Sequence, residues 1–312
     1  MHKPNPLIQR ITAVAMLLLL SIESQATQTP KVSQAIETDS NIGFAIVNTG
    51  QAGLTPEGVL VSGGSWFNLR HLAQNTVLIR HPKGDVMIDA GLGQKIDKQF
   101  SENSFMMRQL FAYEGVNPAI DQYAKAAYDA LEVKKIIPTH LHWDHASGIV
   151  DFPKAQVWVQ KSEYLEAREG SAPAHLQSQL NDKNIQWNFF ELSNSAYLGF
   201  SKSLDVYDDG SIVLVDLKGH SAGQVGIFLT VSSGKKYFFV GDTTWTIKGV
   251  HDNEPRSDLL KWMVDVNWDD EENTQKISLL HDFYQNHSDI TIIPAHDETL
   301  MKNLPLFPEF AY

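Results

Sequence analysis

Residues 136–148 read IIPTHLHWDHASG, which places three imidazoles and one carboxylate within a span of six residues. These side chains form the pattern His-x-His-x-Asp-His and belong to His140, His142, Asp144 and His145. With 12 His in 312 residues, chance would produce this pattern in roughly one such chain in a thousand, so it is a strong motif. Imidazole nitrogens and carboxylate oxygens are ligands that borderline divalent metals prefer. The stretch therefore predicts a metal site.

The apolar run before the histidines predicts how these ligands are presented. Residues 133–138 indicate a β-strand, and the ligands follow at its end. A turn that leaves a strand can aim His140 and His142 to one side. Asp144 and His145 would then face a second point, where a short helix begins. Because these ligands on one turn do not fit around a single tetrahedral ion with an open position, we expect two metals.

An apolar strand that ends in a metal-compatible side chain recurs along the chain. Strands predicted at residues 85–89, 133–138, 211–217, 236–240 and 290–294 run into Asp89, His140, His220, Asp242 and His296, respectively. In layered α/β folds, functional groups collect at the carboxyl ends of strands, on one rim of the sheet. The recurrence therefore predicts one rim and one site.

The remaining pattern predicts the other elements of an α/β fold. Ordered structure is predicted to begin at residues 44–47. Further strands are predicted at residues 76–80, 155–159 and 224–230, and helices at residues 105–114, 119–131 and 161–169 and within 254–288, notably 277–284. Residues 175–209 show no clean period, so no element is predicted there.

The N-terminal residues predict export. Lys3 and Arg10 give a positively charged start, and residues 11–22 are apolar but too few to span a membrane. Residues 24–26, Ser-Gln-Ala, offer the small residues that a signal peptidase reads. We therefore expect a periplasmic or secreted protein, with an uncleaved anchor as the alternative. The predicted organisation is a signal peptide at residues 1–26, a flexible leader at 27–41 and a single domain at 42–312.

Composition narrows the class of partner. The net charge of −12 argues against nucleic acid and against stable association with an anionic membrane. It agrees with a small-molecule substrate, and a homodimer is compatible with it. The absence of Cys excludes both disulfides and thiolate metal ligands.

Taken together, these motifs resemble those of the metallo-β-lactamase superfamily. The resemblance spans nearly all of the chain after the signal, and its motifs occur in order. They are Asp89 in Ile-Asp-Ala-Gly, the cluster at residues 140–145, His220 in Gly-His-Ser-Ala-Gly, Asp242 in Val-Gly-Asp-Thr and His296 in Pro-Ala-His-Asp. The resemblance implies an αββα sandwich, in which two mixed sheets pack face to face, helices lie outside and the metals sit at one edge.

The resemblance also implies a role for each motif residue. The first metal would be bound by His140, His142 and His220, the second by Asp144, His145 and His296, with Asp242 bridging the two and Asp89 orienting the histidines. The cofactors would be two divalent ions, zinc first, with Mn, Co or Fe accepted by the same nitrogen and oxygen donors. Asp144 and Asp242 would be the catalytic carboxylates, and Asp144 is one candidate to pass a proton to the leaving group.

The expected reaction is hydrolysis in which a hydroxide that bridges the metals attacks an ester or lactone carbonyl. Among members of the superfamily, the chain resembles the acyl-homoserine lactonase-like enzymes and the exported organophosphate hydrolases. We expect an acyl lactone as substrate, as in quorum quenching. The alternatives are a phosphotriester or aryl ester, and then a β-lactam, which the absent Cys ligand and the bridging Asp242 disfavour. A metal-binding protein without turnover is the remaining alternative, and the intact ligand set argues against it.

Apolar residues near the ligands could form a substrate pocket. The candidates are Trp245, Phe105, Met106 and Trp262, although a place in the ordinary core explains them equally well.

Overall fold

The computed structural model describes residues 41–312. The predicted signal peptide and all but the last residue of the predicted leader lie outside this range. Among the described residues, no helix has the length and apolar character needed to cross a membrane.

The first sheet contains seven strands and is formed by the N-terminal part of the described chain. Its strands are β1 (Gly43–Ala52), β4 (Ala73–Arg80), β5 (Asp85–Ile88), β6 (Tyr113–Glu114), β7 (Val133–Ile137), β8 (Gln156–Gln160) and β9 (Gln186–Phe190), in the spatial order β6-β1-β4-β5-β7-β8-β9. Strands β6, β1, β4 and β5 are antiparallel neighbours, whereas β5, β7, β8 and β9 run parallel. The sheet is therefore mixed. A separate two-stranded sheet pairs β2 (Thr55–Pro56) with β3 (Leu69–Arg70).

The second sheet contains five strands and is formed by the C-terminal part of the described chain. Its strands are β10 (Ser203–Asp205), β11 (Ile212–Asp216), β12 (Val225–Thr230), β13 (Lys236–Phe239) and β14 (Ile290–Ile293), in that spatial order. The first four are antiparallel neighbours, and β14 joins β13 in parallel. This sheet is also mixed.

Short helices connect the strands. They are α1 (Glu57–Leu60), α2 (Ile96–Phe100), α3 (Phe105–Leu110), α4 (Ala119–Lys125), α5 (Trp143–Ala146), α6 (Lys161–Glu169), α7 (Gln177–Leu180), α8 (Ile247–Asp252), α9 (Asp258–Met263), α10 (Asp270–Asn286) and α11 (Glu298–Met301), with 3-10 turns at Ala130–Glu132 and Ser147–Asp151.

The main core lies between the two sheets. Ile79 and Ile88 from the first sheet join Leu214 and Ile227 from the second in one buried cluster. Because side chains alternate along a strand, Val215 on β11 faces the opposite side. Each large apolar side chain buried in this way stabilises the fold by about 1.5–3 kcal/mol. The predicted αββα sandwich is therefore confirmed.

Helix α10 covers the outer face of the second sheet. Asp269 caps its first turn by accepting a hydrogen bond from the backbone N–H of Glu272. Leu280 and Phe283, three residues apart, pack against Phe228 of the sheet. The sequence pattern predicted helical stretches within residues 254–288 and was clearest at residues 277–284, because the first turns of this helix are polar and hide the period.

Every predicted strand is present, but two predicted helices are shorter than expected. The helix predicted at residues 119–131 ends at Lys125, since Ala127 adopts a φ of 55° that a right-handed helix cannot contain. The helix predicted at 105–114 ends at Leu110, because residues 113–114 pair with β1 instead. Strands β9 and β10 fall within residues 175–209, where no element was predicted.

Candidate metal centre

The seven predicted ligands gather at one rim of the sandwich. His140 and His142 follow β7, and α5 presents Asp144 and His145. The remaining ligands come from loops after strands of the second sheet and are His220, Asp242 and His296. The ligand atoms form three sets, and the atoms within each set lie within 4.8 Å of one another. The sets are His140/His142/His220, His140/His145/Asp242 and Asp144/His145/His296.

The first set consists of three imidazoles. The ring centroid of His220 lies 4.7 Å from that of His140 and 4.5 Å from that of His142. Burial, reinforced by the neighbouring imidazoles, holds the pKa values of His140 and His142 well below the usual range. Burial and the guanidinium of Arg256 lower the pKa of His220 to about 3. All three rings are therefore held neutral, which is the form that binds a metal.

Asp144, His145 and His296, here called the second set, combine one carboxylate with two imidazoles. The Nε2 atom of His296 lies 3.5 Å from Oδ2 of Asp144, and Nε2 of His145 lies 3.9 Å from the same oxygen. Burial disfavours a charged His145, but the carboxylates of Asp89, Asp144 and Asp242 outweigh it and raise its pKa well above the usual range. This set therefore has more negative charge around it than the first.

Asp242 lies between the two sets. Its Oδ1 atom is 3.3 Å from Nε2 of His145 and 3.1 Å from Nε2 of His296. Its Oδ2 atom is 3.6 Å from Nε2 of His220. Gly241 before it has a φ of 53°, and a Cβ there would lie 2.9 Å from Cβ of Thr139, so the turn that delivers Asp242 favours glycine. The Asp242 carboxylate thus reaches both sets.

Asp89 stands behind the histidines. It has a φ of 56°, which a short polar side chain tolerates better than most. Its Oδ1 atom accepts hydrogen bonds from the backbone N–H of Thr139 at 2.6 Å and from its hydroxyl at 3.0 Å. Its Oδ2 atom lies 3.0 Å from Nδ1 of His145. Asp89 therefore contacts both the turn before His140 and the ring of His145.

Other imidazole nitrogens are held by polar groups of the protein. Nδ1 of His296 lies 2.7 Å from the carbonyl oxygen of Ala73, and Nδ1 of His220 lies 3.0 Å from Oδ1 of Asn267. Such contacts fix the orientation of a ligand ring and leave Nε2 for the metal.

Sequence reasoning missed Asn267 and Arg256. The buried guanidinium of Arg256 donates to Oδ1 of Asn267 at 2.9 Å and to the backbone carbonyl of Asp242, and it stacks over Trp245 with 5.0 Å to the ring centroid. The indole N–H of Trp245 donates to Oδ2 of Asp242 at 2.6 Å. Both missed residues lie in polar segments without a strand-end pattern, so no local signal distinguishes them.

The residues present fit two divalent metals. The Nε2 atoms of His140, His145 and His220 are buried, and within residues 41–312 they have no hydrogen-bond partner in suitable geometry. A buried polar atom without a partner is costly, and a bound metal relieves that cost. The donors are nitrogen and oxygen only, which suits zinc and also Mn, Co or Fe.

A cavity of about 290 Å³ opens onto this cluster. Its floor includes Asp144, Asp242 and His296, and its walls are largely apolar. The wall residues include Leu54, Val59, Leu60, Leu72, Leu110, Phe111, Trp143, Trp245, Leu260, Met263 and Val266.

Of the predicted pocket residues, Trp245 lines the cavity, and the other three do not. Phe105, Met106 and Trp262 are 72%, 70% and 83% exposed. They lie on α3 and α9, and these helices turn Leu110 and Met263 towards the cavity instead. The prediction was wrong for these three because the orientation of a helix of six residues depends on tertiary packing.

Sequence comparison relates the chain to known hydrolases. The profile of the Metallo-beta-lactamase superfamily matches residues 69–276. The N-acyl homoserine lactonase AttM of Rhizobium radiobacter is 24% identical over 238 residues, covering 75% of this chain and 85% of the relative. A probable metallo-hydrolase of Mycobacterium tuberculosis is 25% identical over 241 residues, covering 72% of this chain and 75% of the relative.

Solved structures show the same fold. An N-acyl homoserine lactone hydrolase with the product N-hexanoyl-L-homoserine bound at its catalytic metal centre superposes with a TM-score of 0.68 at 18% identity, covering 88% of this chain and 100% of that one. AidC, a dizinc quorum-quenching lactonase, superposes with a TM-score of 0.55 at 16% identity, covering 88% and 94%.

Proposed function

Because the chain belongs to the metallo-beta-lactamase superfamily, and is a metal-dependent hydrolase, we propose that it opens acyl lactones. The observation that carries this proposal is the apolar cavity that ends on the ligand cluster. Similarity to lactonases supports it.

The candidate site would hold two divalent ions. His140, His142 and His220 would bind the first, Asp144, His145 and His296 the second, and Asp242 both. When bound, the ions supply Lewis acidity, which activates water near neutral pH and polarises a carbonyl oxygen. No Ser or Cys nucleophile is then required.

The protein's own contribution begins with Asp144. Ring opening breaks the C–O bond of the lactone, and the departing alkoxide oxygen needs a proton. Asp144 lies on the cavity floor and is partly exposed, so its carboxylate can reach that oxygen. We assign Asp144 the transfer of this proton: its carboxylate accepts a proton from the attacking water and then donates it to the alkoxide oxygen. Asp242 is instead fixed by the indole N–H of Trp245, which suits a fixed bridging ligand.

The walls of the cavity favour an acyl chain. Leu54, Leu72 and Leu110 offer apolar contacts, and each methylene buried against them contributes up to about 0.8 kcal/mol. A planar lactone carbonyl requires one polarising group and one apolar channel. A phosphotriester carries three substituents and would require a pocket for each.

The test is hydrolysis by purified, metal-loaded protein of a series of N-acyl homoserine lactones, an aryl ester, an aryl phosphotriester and a β-lactam. We expect the highest kcat/KM for a lactone, and chelation should abolish it. Rapid phosphotriester hydrolysis without any lactone opening would transfer the assignment to the alternative substrate class.

We also propose that the protein is exported, and the sequence features of residues 1–26 support this. The mature protein from its native host should begin near Thr27 and occur in the periplasm or medium. Intact mass of cytosolic protein that retains Met1 would contradict export.

A further inference from the structure

Glu163 is a buried acid that the mechanism above does not use. It lies in the first turn of α6, and it is 1% exposed. Its Oε1 atom accepts a hydrogen bond from the backbone N–H of Leu141 at 2.7 Å. Its Oε2 atom accepts from the hydroxyl of Ser221 at 2.6 Å and from the backbone N–H of Gly223 at 2.9 Å. One carboxylate therefore satisfies three donors.

The donors to Glu163 lie in the two loops that carry the imidazoles of the first set. Leu141 separates His140 from His142, and Ser221 follows His220. The first loop leaves β7 of the first sheet, and the second joins β11 to β12 of the second sheet. Glu163 thus ties together the two backbone segments that carry all three imidazoles of the first set.

The close packing around Glu163 shows that the contact is built into the fold. A Cβ atom on Gly223 would lie 2.6 Å from both the Cβ and the backbone nitrogen of Glu163, so the loop can approach α6 this closely only with glycine there. Burying a carboxylate is costly unless it is hydrogen-bonded, and these donors supply that compensation.

We propose that Glu163 is a positioning residue for the first metal, setting the separation of His220 from His140 and His142 through the two loops. The inference rests on the metal centre in the proposed function but not on the identity of the substrate. It predicts that a substitution of Glu163 weakens metal binding at the first site.

Helix α6 offers a matched control. Within the described part of the chain, Glu166, one turn further along, accepts one hydrogen bond, from the backbone N–H of Ala222 at 2.6 Å. A glutamine oxygen can still accept that bond, so Glu166→Gln should preserve it. Glu163→Gln is different, because both oxygens of the Glu163 carboxylate accept hydrogen bonds. The NH₂ group of glutamine would replace one of these oxygens and would face a donor instead of accepting from it.

The experiment measures metal binding rather than turnover. Zinc affinity is determined by competition with a chromophoric chelator, zinc content by elemental analysis, and the geometry of each site by the visible spectrum of the cobalt-substituted protein. We expect Glu163→Gln to weaken one of the two zinc sites about 10–100-fold, as loss of outer hydrogen-bond partners does. Glu166→Gln should change neither site by more than about threefold.

A second variant covers the case in which Glu163→Gln does not fold. Ser221→Ala removes one of the three hydrogen bonds without a change of charge, and it should weaken the same zinc site by a smaller factor. Thermal unfolding of chelator-treated protein measures any purely structural contribution separately.

Equal weakening of both sites, or no weakening in either variant, would overturn the positioning role. Wild-type protein that binds two zinc ions but opens no lactone would contradict the proposed function and leave the Glu163 test intact.

Discussion

The two ends of the sandwich carry similar residue types but treat them differently. At the end opposite the metal centre, His81 follows β4 and Ser211 precedes β11. Nε2 of His81 lies 3.1 Å from Oγ of Ser211, and Nδ1 accepts from the backbone N–H of Lys83 at 3.1 Å. Its ring stacks on Tyr207 with 4.0 Å between centroids. Both ring nitrogens of His81 therefore have partners within the protein.

At the rim that carries the seven ligands, here called the metal rim, the Nε2 atoms of His140, His145 and His220 find no hydrogen bond of suitable geometry among the described residues. The His81 end contains a serine, a histidine and an aspartate, but Ser211 donates its hydroxyl proton to Asp209, and Nδ1 of His81 accepts from a backbone N–H. A nucleophilic triad needs the reverse, with serine donating to histidine and Nδ1–H donating to the acid. Unpartnered ligand atoms, and not residue types, distinguish the metal rim.

The largest expected difference between the two ends is the effect of one substitution at each end on metal content and on kcat/KM. Asp242→Ala should lower the occupancy of both metal sites, because its oxygens reach both sets. We expect kcat/KM for a lactone to fall at least about 100-fold, or about 2.7 kcal/mol. His81→Gln should leave metal content unchanged and kcat/KM within about threefold. Elemental analysis and steady-state kinetics measure both.

His296→Ala sharpens this result, since it should empty mainly the second site and leave about one ion per chain. If His296→Ala and Asp242→Ala lose metal identically, Asp242 does not bridge. If His81→Gln loses metal as well, the contrast between the two ends fails.

Chelation should affect stability only through the metal rim. A metal that binds only the folded state stabilises it by about 4 kcal/mol at a free concentration 1,000 times Kd. For a domain of this size, about 2–4 °C of Tm accompany each kcal/mol, so chelation should lower Tm on the order of 10 °C. Calorimetry of the Asp209→Asn variant should show the same fall of Tm on chelation as the wild type. For Asp242→Ala, which has lost its metal, chelation should lower Tm hardly at all. An unchanged wild-type Tm would contradict metal binding by the folded state.

The cavity wall can be tested within one helix. Leu110 lines the cavity, whereas Phe105 on the same helix is exposed and does not. For wild-type protein, kcat/KM should rise by up to about fourfold per added acyl methylene, the equivalent of about 0.8 kcal/mol. Leu110→Ala should flatten this trend, and Phe105→Ala should keep it. The opposite ranking in a series of lactones would place the acyl chain elsewhere.

The smallest expected effect is at the His81 end. Partial burial opposes ionisation of Asp209, but hydrogen bonds from Ser211 and Lys83 outweigh it and lower its pKa to about 2. Because this folded-state pKa lies below the ordinary pKa of an aspartate, 3.8, the stability that Asp209 contributes is present above about pH 4 and is lost as the pH falls towards 2.

Asp209→Asn should therefore destabilise chelated protein by less than about 1 kcal/mol at pH 7. Urea unfolding at pH 7 and near pH 2 should show the difference between variant and wild type shrinking at the lower pH. A difference that grows as the pH falls would reverse the sign of this contribution.

Much of the site was predictable because its signals are local. A strand that ends in His220 or Asp242 reveals both the element and its rim in a few residues. Asn267, Arg256 and Glu163 were not predictable, since each acts across the tertiary structure from a segment with ordinary polar composition. The exposed positions of residues 105–106 and Trp262 were not predictable for the same reason. They depend on how short helices pack, which a periodic pattern of six residues does not determine.

The division of ligands between the sheets has a consequence for biogenesis. Residues up to β9 build the first sheet and supply His140, His142, Asp144 and His145, and the chain from β10 onward supplies the rest. Each candidate metal site draws ligands from both portions. A nascent chain that has emerged only as far as β9 therefore contains no complete metal site. Metal loading would come last in maturation and would report that the N-terminal and C-terminal portions have docked.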